Sequence, residues 1–75
     1  MMFKIRLENT NDAQEFVNAA SQCGGDVDLH SGVVYIDGKS LLGVLAMGIN
    51  REMSVTLNNP EDSMFKNAVE KFVVA

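Results

Sequence analysis

Hydrophobic and polar positions alternate first along residues 2 to 7, where Phe3, Ile5 and Leu7 share one face and Lys4 and Arg6 the other. That period of two predicts a half-buried strand. The polar run Glu8 to Asp12 follows, and Asn11 with Gln14 three residues on is the best N-cap in it. Ala13, Phe16, Val17, Ala20 and Cys23 then recur at helical spacing until Gly24-Gly25 ends the helix. Val27 and Leu29 point inward from a second strand while Asp26, Asp28 and His30 point out. The turn His30-Ser31-Gly32 leads to a hairpin partner over Val33 to Ile36, with Tyr35 at the sheet edge.

Asp37-Gly38 turns the chain again. Ser40 stands where a short helix, Leu41 to Met47, begins, and Gly48 ends it. Arg51 to Leu57 alternates once more, with Met53, Val55 and Leu57 inward. Asn59-Pro60-Glu61-Asp62 reads as a helix start, with a cap, proline at the first position and acids in the first turn. Met64, Phe65, Ala68, Val69, Phe72 and Val73 mark the buried stripe of the last helix. The order is β-α-β-β-α-β-α. Strands apolar on one face predict an antiparallel or mixed sheet, with helices on one side and solvent on the other.

Length bounds this picture. Seventy-five residues make a single domain, 1–75, with a small core. No linker, repeat or low-complexity run breaks the chain, and its longest apolar stretch, Leu41 to Ile49, is far too short to span a bilayer. The N-terminus passes directly into a strand pattern, so no signal peptide is read. A net charge of −4 with scattered basic residues argues against nucleic-acid binding, which needs basic patches. One cysteine, Cys23, makes no internal disulfide and fits a reducing, cytoplasmic setting. Its place on the helical stripe reads as a buried structural thiol.

The chemistry-bearing residues are few. Asp26, Asp28 and His30 share a strand face at two-residue spacing, which suggests a divalent-metal patch, but no fourth ligand appears in the pattern. The ordinary reading of His30 is an exposed strand histidine, and neither metal nor cofactor is expected. Ser40 has a plain role as a helix cap, whose hydroxyl accepts a backbone N–H bond. Leu41, Leu42, Val44, Leu45 and Met47 go nearly all the way round a short helix, so they cannot all be buried. An exposed apolar remainder marks an interaction surface.

The segment Lys39-Ser40-Leu41-Leu42-Gly43-Val44-Leu45-Ala46-Met47-Gly48 resembles the regulatory-serine segment of HPr, the phosphocarrier family of the sugar phosphotransferase system. The family's pattern there is Lys-Ser-Ile-Met-Gly-Val-Met-Ser-Leu-Gly, and Lys39, Ser40, Gly43, Val44 and Gly48 match it. Ala20-Ser21 and Asp26 to Leu29 also fit without a gap. The resemblance covers residues 13 to 57 well, and the element order extends it to the whole chain. It implies an α+β open-faced sandwich: a four-stranded antiparallel sheet with helices on one face.

The departure is as informative. HPr carries Gly-x-His-Ala-Arg-Pro at the head of its first helix, and the histidine accepts the phosphoryl group there. This chain reads Leu7-Glu8-Asn9-Thr10-Asn11-Asp12-Ala13, without His, Arg or Pro, and its acids would repel an incoming phosphoryl group. Histidine-dependent phosphotransfer is therefore not expected, and the chain reads as a non-enzyme. In Gram-positive members the serine matching Ser40 is the target of an ATP-dependent HPr kinase, and the phospho-form binds a transcriptional regulator. A relative that keeps only the serine has precedent. The resemblance thus implies a regulatory protein with Ser40 as phosphorylation site and Lys39, Leu41, Leu42, Val44, Leu45 and Met47 as partner contacts. Those partners would be a kinase, a regulator or an enzyme. The alternative is an interaction module, or a homodimer through the Leu41 to Met47 helix, with no phosphorylation.

Overall fold

The computed structural model describes residues 2–47, 49–58 and 63–74. Strand β1 (Met2–Arg6) delivers Ile5 and then Leu7 to the core, both fully buried. The chain then reverses into α1 (Thr10–Ser21). The cap of α1 is Asn9, not Asn11. The Asn9 side-chain oxygen accepts the Asp12 N–H at 2.8 Å, and the Asp12 carboxylate accepts the Glu8 N–H at 3.1 Å. This reciprocal pair satisfies two donors at once, and the earlier start closes the Ala13 N–H to Asn9 C=O bond at 3.2 Å. Ala13, Phe16, Val17 and Ala20 form its buried stripe as their spacing predicts, and Cys23 is buried just beyond its end.

Strands β2 (Val27–Ser31) and β3 (Val34–Asp37) form a hairpin with the two-residue loop Gly32-Val33. Gly32 has φ of 61°, the positive value that the first position of such a loop takes most easily as glycine. The turn is thus one residue later than the pattern suggests, and Ser31 pairs with Val34. Helix α2 (Leu41–Met47) leads to β4 (Glu52–Leu57), which lies between β1 and β2 and is antiparallel to both. The sheet order is β1-β4-β2-β3, fully antiparallel. Both helical connections, β1-α1-β2 and β3-α2-β4, therefore cross over a strand that lies between the ones they join.

The inward faces of β1, β2 and β4 bring Ile5, Val27, Leu29, Met53, Val55 and Leu57 under the helices. Each fully buried aliphatic side chain contributes about 1.5–3 kcal/mol. Helix α3 (Ser63–Ala68) adds Phe65, whose ring meets Phe16 edge-on at 5.7 Å and 76°. The predicted helix start at Asn59 to Asp62, and Gly48 as terminator of α2, lie outside the described residues. The predicted last stripe needs correction. Met64 is 82% exposed and Ala68 is also exposed, because α3 turns its Phe65–Val69 side to the core and Met64 and Ala68, each one residue earlier, lie about 100° round from it; a 3-10 turn (Glu70–Phe72) follows. Phe65, Val69 and Phe72 are the residues that reach the core. Val73 then bridges Ile5, and the Val74 N–H bonds the Lys4 C=O at 3.0 Å, so the C-terminal segment lies along β1.

Candidate functional site

The turn that presents Ser40 is built by close approach. The Gly38 N–H bonds the Val27 C=O at 2.7 Å, and a Cβ on Gly38 would meet Val27 Cγ1 at 2.8 Å. Only glycine lets the chain lie that near β2. Asp37 then holds both following N–H groups: its carboxylate accepts from Lys39 at 2.9 Å and its carbonyl from Ser40 at 3.1 Å. The Lys39 ammonium donates to the Cys23 carbonyl at 3.1 Å, tying the turn to the end of α1.

Ser40 stands half-buried at the N-cap of α2, as its place before the apolar run predicts. Its Oγ accepts the Gly43 N–H at 3.1 Å and its carbonyl accepts the Val44 N–H at 2.9 Å. A Cβ on Gly43 would lie 3.3 Å from Ser40 Oγ, so the absence of a side chain at Gly43 leaves the hydroxyl its space. At the other end, the Arg51 guanidinium donates to the Met47 carbonyl at 3.0 Å. This second cap was not legible beforehand, because Arg51, in the bend just before β4, lies beyond the helix and points back.

The apolar residues of α2 divide into two groups. Val44 is fully buried and Met47 is 7% exposed, so both belong to the core and neither is available to a partner. That corrects the expectation for these two, and the reason is helical geometry. With a sheet beneath and α1 alongside, the Val44–Met47 face must turn inward. Leu42, on the opposite side, is 81% exposed, while Leu41 and Leu45 are partly buried against the core. An accessible surface therefore remains at Lys39, Leu41, Leu42 and Leu45, next to the Ser40 hydroxyl.

His30 lies one residue from the end of β2 on the face away from the core, opposite Tyr35 and two residues along the strand from Asp28, which pairs with Asp37 of this turn. Its ring stacks on Tyr35 with centroids 4.6 Å apart and planes 19° from parallel, and its Nε2 is 3.4 Å from Thr56 Oγ1. Asp26 accepts the Asn58 side-chain N–H at 3.2 Å. Among the described residues no three His, Cys, Asp or Glu side chains are placed to hold a metal ion. The head of α1, closed by Asn9, Asp12 and Glu8, likewise presents no histidine.

The family model described as the PTS HPr component phosphorylation site matches residues 9–73. The chain belongs to the HPr family of the phosphotransferase system. Comparison with curated protein sequences returns no match. Two solved structures are similar in fold. The histidine-containing phosphocarrier protein of Mycoplasma superposes with a TM-score of 0.76 at 15% identity, over 95% of this chain and 89% of that one. HPr-C-His of Thermoanaerobacter tengcongensis gives 0.75 at 14% identity, over 95% and 85%. The expected four-stranded antiparallel HPr sandwich is thus the observed fold. HPr proteins carry a phosphoryl group between partners of a phosphotransferase system, and this chain's fold fits a role related to that system. Among the described residues no helix is long and apolar enough to cross a membrane.

Proposed function

We propose that this HPr-family chain is a regulatory, non-catalytic protein that acts through contacts at Ser40 and the α2 surface, under control of serine phosphorylation. The observation that carries the reading is the pairing of Ser40 Oγ with an 81% exposed leucine two residues on. A switchable hydroxyl and an apolar docking patch share one small surface.

In the modification, Ser40 Oγ attacks the γ-phosphorus of ATP, its proton passes to a base of the kinase, and ADP leaves. The product adds about −1.5 to −2 charges beside Leu41 and Leu42. A phosphate oxygen can accept the Gly43 N–H in place of the hydroxyl, so the α2 cap is compatible with both forms. That charge makes or abolishes docking of a protein partner without unfolding the domain. Support for excluding histidine transfer comes from Leu7 to Ala13, where the segment matching the family's acceptor loop has Glu8 and Asp12 but no His or Arg. A cytoplasmic location accords with a single cysteine, the buried Cys23, which has no second cysteine to form an internal disulfide.

The test is intact mass after incubation with ATP and an HPr-type kinase, with a family HPr in parallel and Ser40→Ala as control. One phosphoryl adduct absent from Ser40→Ala is the expected result. An unmodified chain beside a modified family HPr would contradict the regulatory reading. The second reading, an interaction module without phosphorylation, is favoured by one observation: Ser40 Oγ is already engaged as a cap.

A further inference from the structure

The two edges of the sheet are treated differently. The β1 edge is covered by the chain itself, through the Ile5–Val73 bridge and the Val74 N–H to Lys4 C=O bond. The β3 edge is bare among the described residues, since β3 pairs only with β2. Natural edges are usually blunted by very short strands, charges, proline, a bulge or a covering segment, and of these β3 has its four-residue length and the single charge of Asp37. Here the edge reads Val33-Val34-Tyr35-Ile36-Asp37, with Val33 94%, Val34 52% and Tyr35 65% exposed. Side-chain alternation puts Tyr35 on the open face beside His30, and Val34 and Ile36 on the helix side.

The backbone sets what can pair there. Ser31 and Val34 flank the two-residue loop and form its hydrogen-bonded pair, so the next pair, His30 and Tyr35, is the non-bonded kind. Close ring stacking at 4.6 Å is what a non-bonded pair allows. The Tyr35 N–H and C=O therefore point away from β2, toward an incoming strand.

We propose that β3 pairs antiparallel with β3 of a second copy of this chain, about a two-fold axis at Tyr35, joining two four-stranded sheets into one. In that register Tyr35 exchanges both backbone bonds with Tyr35 of the second copy. Val34 lies opposite Ile36 of the second copy on the helix side, covering apolar surface on both. The one charge of each strand, Asp37, lies opposite Val33 of the second copy, so no like charges face each other. On the open face the row Lys4, Ser54, His30, Tyr35 continues into its mirror sequence. Each feature is self-complementary, as a two-fold contact requires. The interface uses the backbone edge of β3 and not the Ser40 hydroxyl, while α2 packs beside that edge, with Ile36 Cβ 3.7 Å from where a Cβ on Gly43 would lie. It is small beside the ~1,600 Å² of stable complexes, so the dimer is weak and reversible. Each copy carries −4, so salt strengthens it by screening.

The experiment is sedimentation equilibrium of the full chain from about 10 μM to about 1 mM, a range suited to an interface of that size. Low and high salt are compared for the natural protein, Tyr35→Lys and Leu42→Lys. The mass is expected to rise from monomer toward dimer, at several-fold lower concentration in high salt. Tyr35→Lys, which sets two ammonium groups opposite each other, should weaken association at least about tenfold, while Leu42→Lys leaves it unchanged. Val33→Asp, in the exposed loop, sets a second carboxylate opposite Asp37 of the other copy and should weaken it as well, should Tyr35→Lys not fold. A monomer throughout the range overturns the proposal. So does a dimer lost in Leu42→Lys or undiminished by both β3 substitutions, which would place the contact elsewhere.

Discussion

At Ser40 one oxygen caps a helix, and under the proposed function the same oxygen is the atom a kinase would esterify. Its cap bond to Gly43 is worth about 0.5–2 kcal/mol against alanine. Ser40→Ala should therefore lower the melting temperature by about 4–8 °C per kcal/mol lost, read by thermal denaturation, and Ser40→Asp should retain most of the stability. Gly38→Ala is expected to cost more than an exposed substitution, because its Cβ would collide with Val27 Cγ1 and the Val27 carbonyl. Urea midpoints of the two variants check the order. The Ser40 cap was legible because capping is local: the signal and its acceptor lie within three residues. The choice between Asn9 and Asn11 was not, since both satisfy the local rule and the core decides which helix start is used. The Lys39 bond to the Cys23 carbonyl joins residues 16 apart, beyond any spacing rule.

Helix α2 has one buried and one exposed side. Periodicity alone states that five apolar residues cannot all be buried, and it leaves open which are out. The sheet and α1 decide that by occupying the Val44–Met47 side. Met47→Ala should then cost about 2–5 kcal/mol as a cavity in the core. Leu42→Ala should stay within about 0.5 kcal/mol, as an exposed site does. Equal losses at the two positions, measured by urea denaturation, would contradict the assigned faces. The same reasoning explains α3. The spacing predicts Met64 and Ala68 in the stripe together with Phe65, Val69 and Phe72; the helix turns its Phe65–Val69 side to the core, and Phe72 reaches it, as predicted, through the 3-10 turn.

For the whole molecule, the margin is small. A chain of this length has about 4–11 kcal/mol of stability at ordinary per-residue values. Phe16→Ala removes the ring that meets Phe65 and about 3–5 kcal/mol with it. It is expected to leave a substantial unfolded fraction at 37 °C, read by circular dichroism. Element order was legible from the alternation of periods two and 3.6. The strand order β1-β4-β2-β3 was not, because interleaved crossovers are a long-range choice that strand patterning does not record. The resemblance carried by Lys39 to Gly48 implied the four-stranded antiparallel sandwich but not the order of its strands. The same resemblance locates what this chain lacks: HPr carries its acceptor histidine at the head of the first helix, and here Asn9, Asp12 and Glu8 close that end.

The central claim is that phosphoryl chemistry in this HPr-family chain belongs to Ser40 and not to a histidine. Phosphoserine survives acid, whereas phosphohistidine is hydrolysed by it, so one measurement separates them. The intact mass of the chain is taken after incubation with ATP and an HPr-type kinase, before and after acid treatment, and the adduct is assigned by peptide mapping. The account expects a single adduct that persists in acid and maps to Ser40. An acid-labile adduct, or one that maps to His30, would contradict it.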